Sequence, residues 1–139
     1  MKPGSLDHIV FAVRDLGQAA AAWKHVFGLE VGQRLQPESI QASIGLMQVG
    51  MSGSMGALLE LAQPLGSEGP VAQALEEHGE GMLSLSIEVE DIDAVVAELH
   101  AVGLAISDVV QGPLPATRVA RMPAEATHGI RLQLIERAG

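Results

Sequence analysis

The sequence carries one module twice. LDHIVFAVRDL at residues 6–16 lies on MLSLSIEVEDI at residues 82–92, with Val13 on Val89, Asp15 on Asp91 and Leu16 on Ile92. VFGLEV at 26–31 lies on AVGLAI at 101–106, and GALLEL at 56–61 lies on GIRLQL at 129–134. Such a repeat constrains the fold before any single element is read, because equivalent stretches must form equivalent elements. A sheet that covers one face with its own helix also needs a partner for the other face. The pattern predicts an α+β fold: two tandem βαβββ modules whose eight strands form a curved half-barrel cleft, with helices outside. Module one covers about 1–63, a linker with a short helix covers 64–80, and module two covers about 81–139, all in a single domain.

Within module one, Leu6–Val13 is rich in Ile, Val and Phe and predicts a strand. Asp15 stands at a helix N-cap, Gly28 at the matching stop, and Ala19, Ala20, Trp23, Val26 and Phe27 recur at the spacing of a buried helix face. Short strands are expected over 29–35, 41–49 and 57–62, the last two joined through the Gly-rich 50–56. Val71–His78 reads as a helix stopped by Gly79. Module two repeats the plan: strand Leu83–Val89, cap Asp91, helix Ile92–Ala101, stop Gly103, a short strand over Leu104–Ser107, then strands Arg118–Met122 and Ile130–Glu136.

Eight basic and 17 acidic residues leave a net charge of −9. Nucleic acid and anionic membrane both require a basic face, so neither is an expected partner. Arg118, Arg121 and Arg131 are the nearest approach to a basic cluster. With no cysteine, disulfides, thiolate metal sites and cysteine nucleophiles are excluded. The opening MKPGSLDH has no apolar h-region, and no apolar run approaches the length of a membrane span, so a soluble cytoplasmic protein is expected.

Two polar residues interrupt strands that are otherwise apolar. His8 shares a strand face with Leu6 and Val10, and Glu60 shares one with Leu58 and Ala62. A titratable side chain on an inward apolar face needs a partner or a task. The repeat places Ser84 on His8 and Gln133 on Glu60, so module one carries good metal ligands and module two weak ones.

These stretches resemble the vicinal oxygen chelate superfamily, which includes glyoxalase I, bleomycin-resistance proteins, ring-cleaving dioxygenases and methylmalonyl-CoA epimerase. LDHIVFAVRDL, ELAQPLGSEGPVAQALEEHGEGM, VEDIDAVVAELHAVGL and GIRLQL carry the resemblance, which covers essentially the whole chain. It implies a divalent ion (cobalt, nickel, zinc or manganese) at His8, Glu60 and Gln133, with Ser84 at a fourth position that is usually histidine. Gln133 stands where glutamate is usual, and Met122-Pro123 where His-Pro is usual. A carboxylate assigned to proton transfer in the epimerases falls near Ser43. Ser43, Ser84 and His128 are therefore candidate substrate-binding residues, and His8 and Glu60 the candidate catalytic pair. Ring cleavage through a two-histidine, one-carboxylate triad lacks its second histidine.

Three readings stand open. One is a metal-dependent isomerase or lyase that passes through an enolate-like state on a small carbonyl or thioester compound. The second is a metal-free small-molecule-binding protein of the bleomycin-resistance type. The third is a cofactor-free isomerase with His8 and Glu60 as acid and base. Each implies a small-molecule ligand, and the family resemblance implies a homodimer. Specificity is expected from loops 36–42, 50–56 and 111–117, with Met47, Met51 and Met55 as a soft lip. The bland alternative for His8 is a core histidine bonded to backbone, and for His128 a turn residue before Gly129.

Overall fold

The structure, a computed structural model, describes residues 4–49 and 57–138. The Gly-rich joint 50–56, with Met51 and Met55 and one of the three expected specificity loops, lies outside the described residues. The chain forms two compact units. One runs from His8 to Leu83; the other begins at Ser84 and takes in the chain before His8. The expected linker and short helix thus belong to the first unit, and Asp7 belongs to the second.

The first unit holds β1 (Ser5–Ala12) from His8 onward, α1 (Leu16–Phe27), β2 (Gln33–Leu35), a 3-10 turn (Glu38–Ile40), β3 (Ala42–Gln48), β4 (Leu58–Pro64) and α2 (Pro70–His78). Its strands lie in the order β2-β3-β4-β1. β4 runs antiparallel to β3 and parallel to β1. The second unit holds β5 (Gly81–Glu88) from Ser84, α3 (Ile92–Ala101), β6 (Val110–Gln111), β7 (Thr117–Arg121), α4 (Ala124–Thr127) and β8 (Leu132–Arg137), in the order β5-β8-β7-β6. β8 is parallel to β5 and antiparallel to β7.

The repeat extends to individual hydrogen bonds. Asp15 accepts from the amide of Gln18, and Asp91 from that of Ala94. Gln63 of β4 accepts from the Leu16 amide at 2.7 Å, and Glu136 of β8 from the Ile92 amide at 2.9 Å. Each helix start is therefore held both by its own cap and by a side chain from its sheet. Gly28 and Gly103 close the helices at φ 70° and 89°, a conformation that costs glycine no steric penalty. Replacing either cap, Asp15→Ala or Asp91→Ala, is expected to cost about 1 kcal/mol, read as a lower urea midpoint at unchanged slope. An unmoved midpoint in both variants would mean that the sheet side chains alone hold the helices.

One face of each sheet packs on its helix. In the first unit Val13, Leu16, Met47 and Leu61 form that core, with Phe11 and Trp23 against it. In the second, Val89, Ile92, Val96, Ile106, Ala120 and Leu134 do so. Two expectations need correction. Val26 and Phe27 are 65% and 63% exposed, not buried. Trp23 makes the ring contact to Phe11 at 5.6 Å, and Phe27 meets Trp23 in a tilted contact with ring centroids 5.0 Å apart. The strand expected over 104–107 is irregular. Ser107 takes the Arg121 amide with its hydroxyl at 2.7 Å and gives its own amide to the Arg121 carbonyl. This closes a local loop, and ladder pairing starts only at Val110. The short α4 was not foreseen either. Among the described residues no helix is long and apolar enough to cross a membrane.

Candidate functional site

The site is built on the sheet face that α1 leaves uncovered. Across β4 and β3, Glu60 pairs with Leu46 and Ala62 with Ile44; across β4 and β1, Glu60 pairs with Val10 and Leu58 with His8. Directly paired residues point to the same side, and side chains alternate along a strand. His8, Val10, Ile44, Leu46 and Glu60 therefore share one face, with His8 and Glu60 one diagonal step apart. His8 and Glu60 are each 4% exposed among these aliphatic neighbours. The structure thus brings the two candidate catalytic residues together. Burial pushes the Glu60 carboxyl above its ordinary value of 4.5, and the neighbouring His8 imidazole pulls it partly back. Desolvation is the larger effect, so the carboxyl holds its proton to higher pH than a surface glutamate would.

Ser43 does not join them. It pairs with Gln63, whose side-chain oxygen holds the α1 amide of Leu16. Ser43 therefore points to the helix side of the sheet, opposite to Glu60. The misplacement comes from strand parity: one residue of register exchanges the two faces. Ala42, Ile44 and Leu46, not Ser43, are β3 positions on the Glu60 face.

In the second unit the equivalent face, the one turned away from α3, carries Ser84, Ser86 and Gln133. Ser86 pairs with Gln133 in register, as Val10 pairs with Glu60. The Gln133 amide nitrogen donates to the Ser86 hydroxyl at 3.0 Å, and Ser86 is fully buried. Ser84 is half-buried two residues earlier on the same face. Ser86 escaped the reading of the sequence, although its alignment on Val10 was the available signal. His128 is an exposed left-handed residue at the C-terminal end of α4, with φ 56°. This is the bland turn position before Gly129.

As a metal centre the donor set stops short. His8 and Glu60 give two strong donors in one unit, where catalytic zinc sites use three protein ligands. Gln133 has its amide nitrogen committed to Ser86, and among the described residues no three His, Asp or Glu side chains gather. Neither unit by itself completes a metal site.

Comparisons with known proteins agree with this architecture. Residues 7–120 match the model of the Glyoxalase/Bleomycin resistance protein/Dioxygenase superfamily. The mitochondrial methylmalonyl-CoA epimerase of Bos taurus is 35% identical over 97 residues, covering 69% of this chain and 53% of the bovine protein. The ethylmalonyl-CoA/methylmalonyl-CoA epimerase of Cereibacter sphaeroides is 32% identical over 101 residues, 72% of each chain. The chain spans about half the length of the mammalian relatives it matches. Among solved structures, Mycobacterium tuberculosis methylmalonyl-CoA epimerase superposes with a TM-score of 0.85 at 25% identity, covering 97% of this chain and 89% of that one. The Streptomyces coelicolor enzyme in complex with 2-nitronate-propionyl-CoA superposes at 0.88 and 21% identity, over 99% and 97%. The fold is that of these structures, and the chain belongs to the glyoxalase/bleomycin resistance/dioxygenase superfamily.

Proposed function

We propose that the protein is an epimerase-type isomerase that moves a proton at the carbon next to a thioester carbonyl, with His8 and Glu60 as its acid–base pair. The observation that carries this reading is the buried Glu60 carboxyl, held above its ordinary range beside His8 on an aliphatic face. The epimerase names of its relatives support the reaction class. In the forward step the Glu60 carboxylate takes the proton from the carbon. The C–H electron pair moves into the carbonyl and forms an enolate. The His8 imidazole faces the developing negative charge. His8, as the acid, donates a proton to the opposite face of the enolate and inverts the centre, and Glu60 passes the proton it took back to His8, which restores both groups. Val10, Ile44 and Leu46 keep water from the pair, which strengthens each charge interaction.

The test is incubation with methylmalonyl-CoA in deuterium oxide, followed by mass spectrometry of the acyl group. One deuterium per acyl group, appearing with enzyme-dependent kinetics and surviving chelation, is expected. No incorporation above the uncatalysed rate would contradict the proposal. A second reading, in which His8 and Glu60 hold a divalent ion, rests on the ligand chemistry of the pair. It predicts about one metal per chain, lost in His8→Ala, and exchange abolished by chelation. A third reading, a binding protein without turnover, draws on the neutral Gln133–Ser86 pair, whose groups bond to each other. It predicts ligand affinity with no exchange. A homodimer and a cytoplasmic location belong to the same proposal; the exposed Val26 and Phe27 are surface that a second copy would cover.

A further inference from the structure

Among the described residues, the Glu60 face of β3, β4 and β1 carries three polar side chains: His8, Gln48 and Glu60. Gln48 pairs with Leu58, and Leu58 pairs with His8 on its other side, so these three stand in one row across the sheet. Strand spacing puts Gln48 about 10 Å from His8 across Leu58. Glu60 lies in the next row, between Leu46 and Val10, one diagonal step from both Gln48 and His8. The three polar groups thus surround Leu58. Along β3 and β4 exposure falls away from the Gln48 row. Gln48 is exposed and Leu58 half-buried, Leu46 and Glu60 are 8% and 4% exposed, and Ile44 and Ala62 are fully buried. A ligand therefore reaches Glu60 from the Gln48 end, over Leu58.

We infer that Gln48 is the oxyanion donor of the reaction: its carboxamide N–H holds the carbonyl oxygen of the bound thioester and stabilises the enolate. The catalytic part of this role rests on the proton transfer given under Proposed function, whereas the contact to the carbonyl does not. Glu60 and His8 both act at the carbon, one taking a proton and the other giving one. The electron pair released from the C–H bond ends on the carbonyl oxygen, and it returns to carbon only when His8 delivers its proton. Until then the oxygen needs a donor that keeps its own proton. A carboxamide meets that need. It is neutral, it has two N–H bonds, and it does not ionise in the working range, so it lends a hydrogen bond without protonating the oxygen. Its position meets the need as well. A carbon within reach of Glu60 and His8 has its carbonyl one bond away, over Leu58, within the span of the long Gln48 side chain. The aliphatic neighbours Leu46 and Leu58 lower the local dielectric and strengthen such a bond. Gln33 is the natural comparison. It is exposed on the same face, but it pairs with Leu46 from the edge strand β2, one strand farther from Glu60.

The test reads the contact and the chemistry separately. Methylmalonyl-CoA carrying carbon-13 at the thioester carbonyl is bound to the full chain, and its infrared carbonyl stretch is compared in the parent, Gln48→Met and Gln33→Met. Methionine keeps the length of glutamine and removes the donor. The stretch is expected to move to higher wavenumber in Gln48→Met and to stay in place in Gln33→Met. In deuterium exchange, Gln48→Met should lose about 10²-fold in kcat with KM nearly unchanged, the loss expected for one oxyanion donor. Gln48→Glu, which sets a negative charge beside the enolate, should be slower still, and Gln33→Met should match the parent. An unmoved stretch in Gln48→Met, or a parent-like kcat, would overturn the inference. So would an equal loss in Gln33→Met, or a thioester that does not bind the parent at all. If the parent shows no exchange while the stretch moves in Gln48→Met, the enzymatic reading falls and the carbonyl contact stands. If exchange proceeds and Gln48→Met changes neither rate nor stretch, the reverse holds.

Discussion

Glu60→Gln is expected to lower deuterium exchange by about 10²- to 10⁴-fold while making the protein more stable at neutral pH. The first effect follows from removing a positioned base and leaving an isosteric amide that cannot accept the proton. The second follows from the direction of the Glu60 shift. Burial raises the folded-state value above the unfolded one, so the neutral carboxyl favours folding. That contribution is fully present below the unfolded value and is lost as pH rises through the folded value. The parent therefore loses stability across that window, and the glutamine variant does not. Thermal melts of the two should nearly coincide at pH 4 and separate toward pH 8, with the variant higher by an amount of the order of 3 °C. A variant that is less stable at pH 8 would mean that Glu60 is held chiefly as an ion pair. Unchanged exchange would remove Glu60 from the chemistry.

Arg137→Ala is expected to be the most destabilising single change outside the apolar core, by about 3 kcal/mol. Arg137 grips Asp7 through two parallel bonds, Nε to Oδ1 at 2.7 Å and an Nη to Oδ2 at 2.8 Å. The Asp7 side chain is 8% exposed, and Arg137's is 34%. The Asp7 contact, with Glu88 nearby, raises the already high guanidinium value, so the cation persists at any working pH. Removing it leaves a buried carboxylate without its main counter-charge, which costs more than the pair itself contributes. Urea denaturation at pH 7 should show the loss, and Asp7→Asn combined with Arg137→Ala should recover part of it. A cost below about 0.5 kcal/mol would place this pair with ordinary surface ion pairs. Because Asp7 precedes His8 on β1, loosening the pair also bears on how firmly His8 is held.

Much of this was legible in the residues themselves. The repeat located Asp15 and Asp91 as caps, Gly28 and Gly103 as stops, and β1, β3, β4, β5 and β8 within a few residues, because local chemistry fixes these features. His8 and Glu60 stood out because a polar side chain on an apolar strand is costly unless it has a function. Three features depended on information that periodicity lacks. Ser43 fell on the wrong face because side chains alternate along a strand, and one residue of register exchanges the two faces. The β6 strand moved to Val110 because the Ser107 hydroxyl competed for the Arg121 amide, a tertiary event. Phe27 read as core by spacing, yet the larger Trp23 ring occupies the contact to Phe11. Ser86 and Gln48 were visible as letters, but their meaning required the pairings that set them beside Gln133 and Leu58.

The proposed chemistry requires Glu60 to be a buried carboxyl coupled to His8. Its most direct test is a carbon-13 NMR titration of the Glu60 side-chain carboxyl in the parent and in His8→Ala. The expected result is a midpoint above the ordinary glutamate range in the parent and higher still in the variant, since His8 is what pulls it down. A Glu60 that titrates like a surface glutamate, or whose midpoint does not move when His8 is removed, would contradict the acid–base pair on which the proposed function stands.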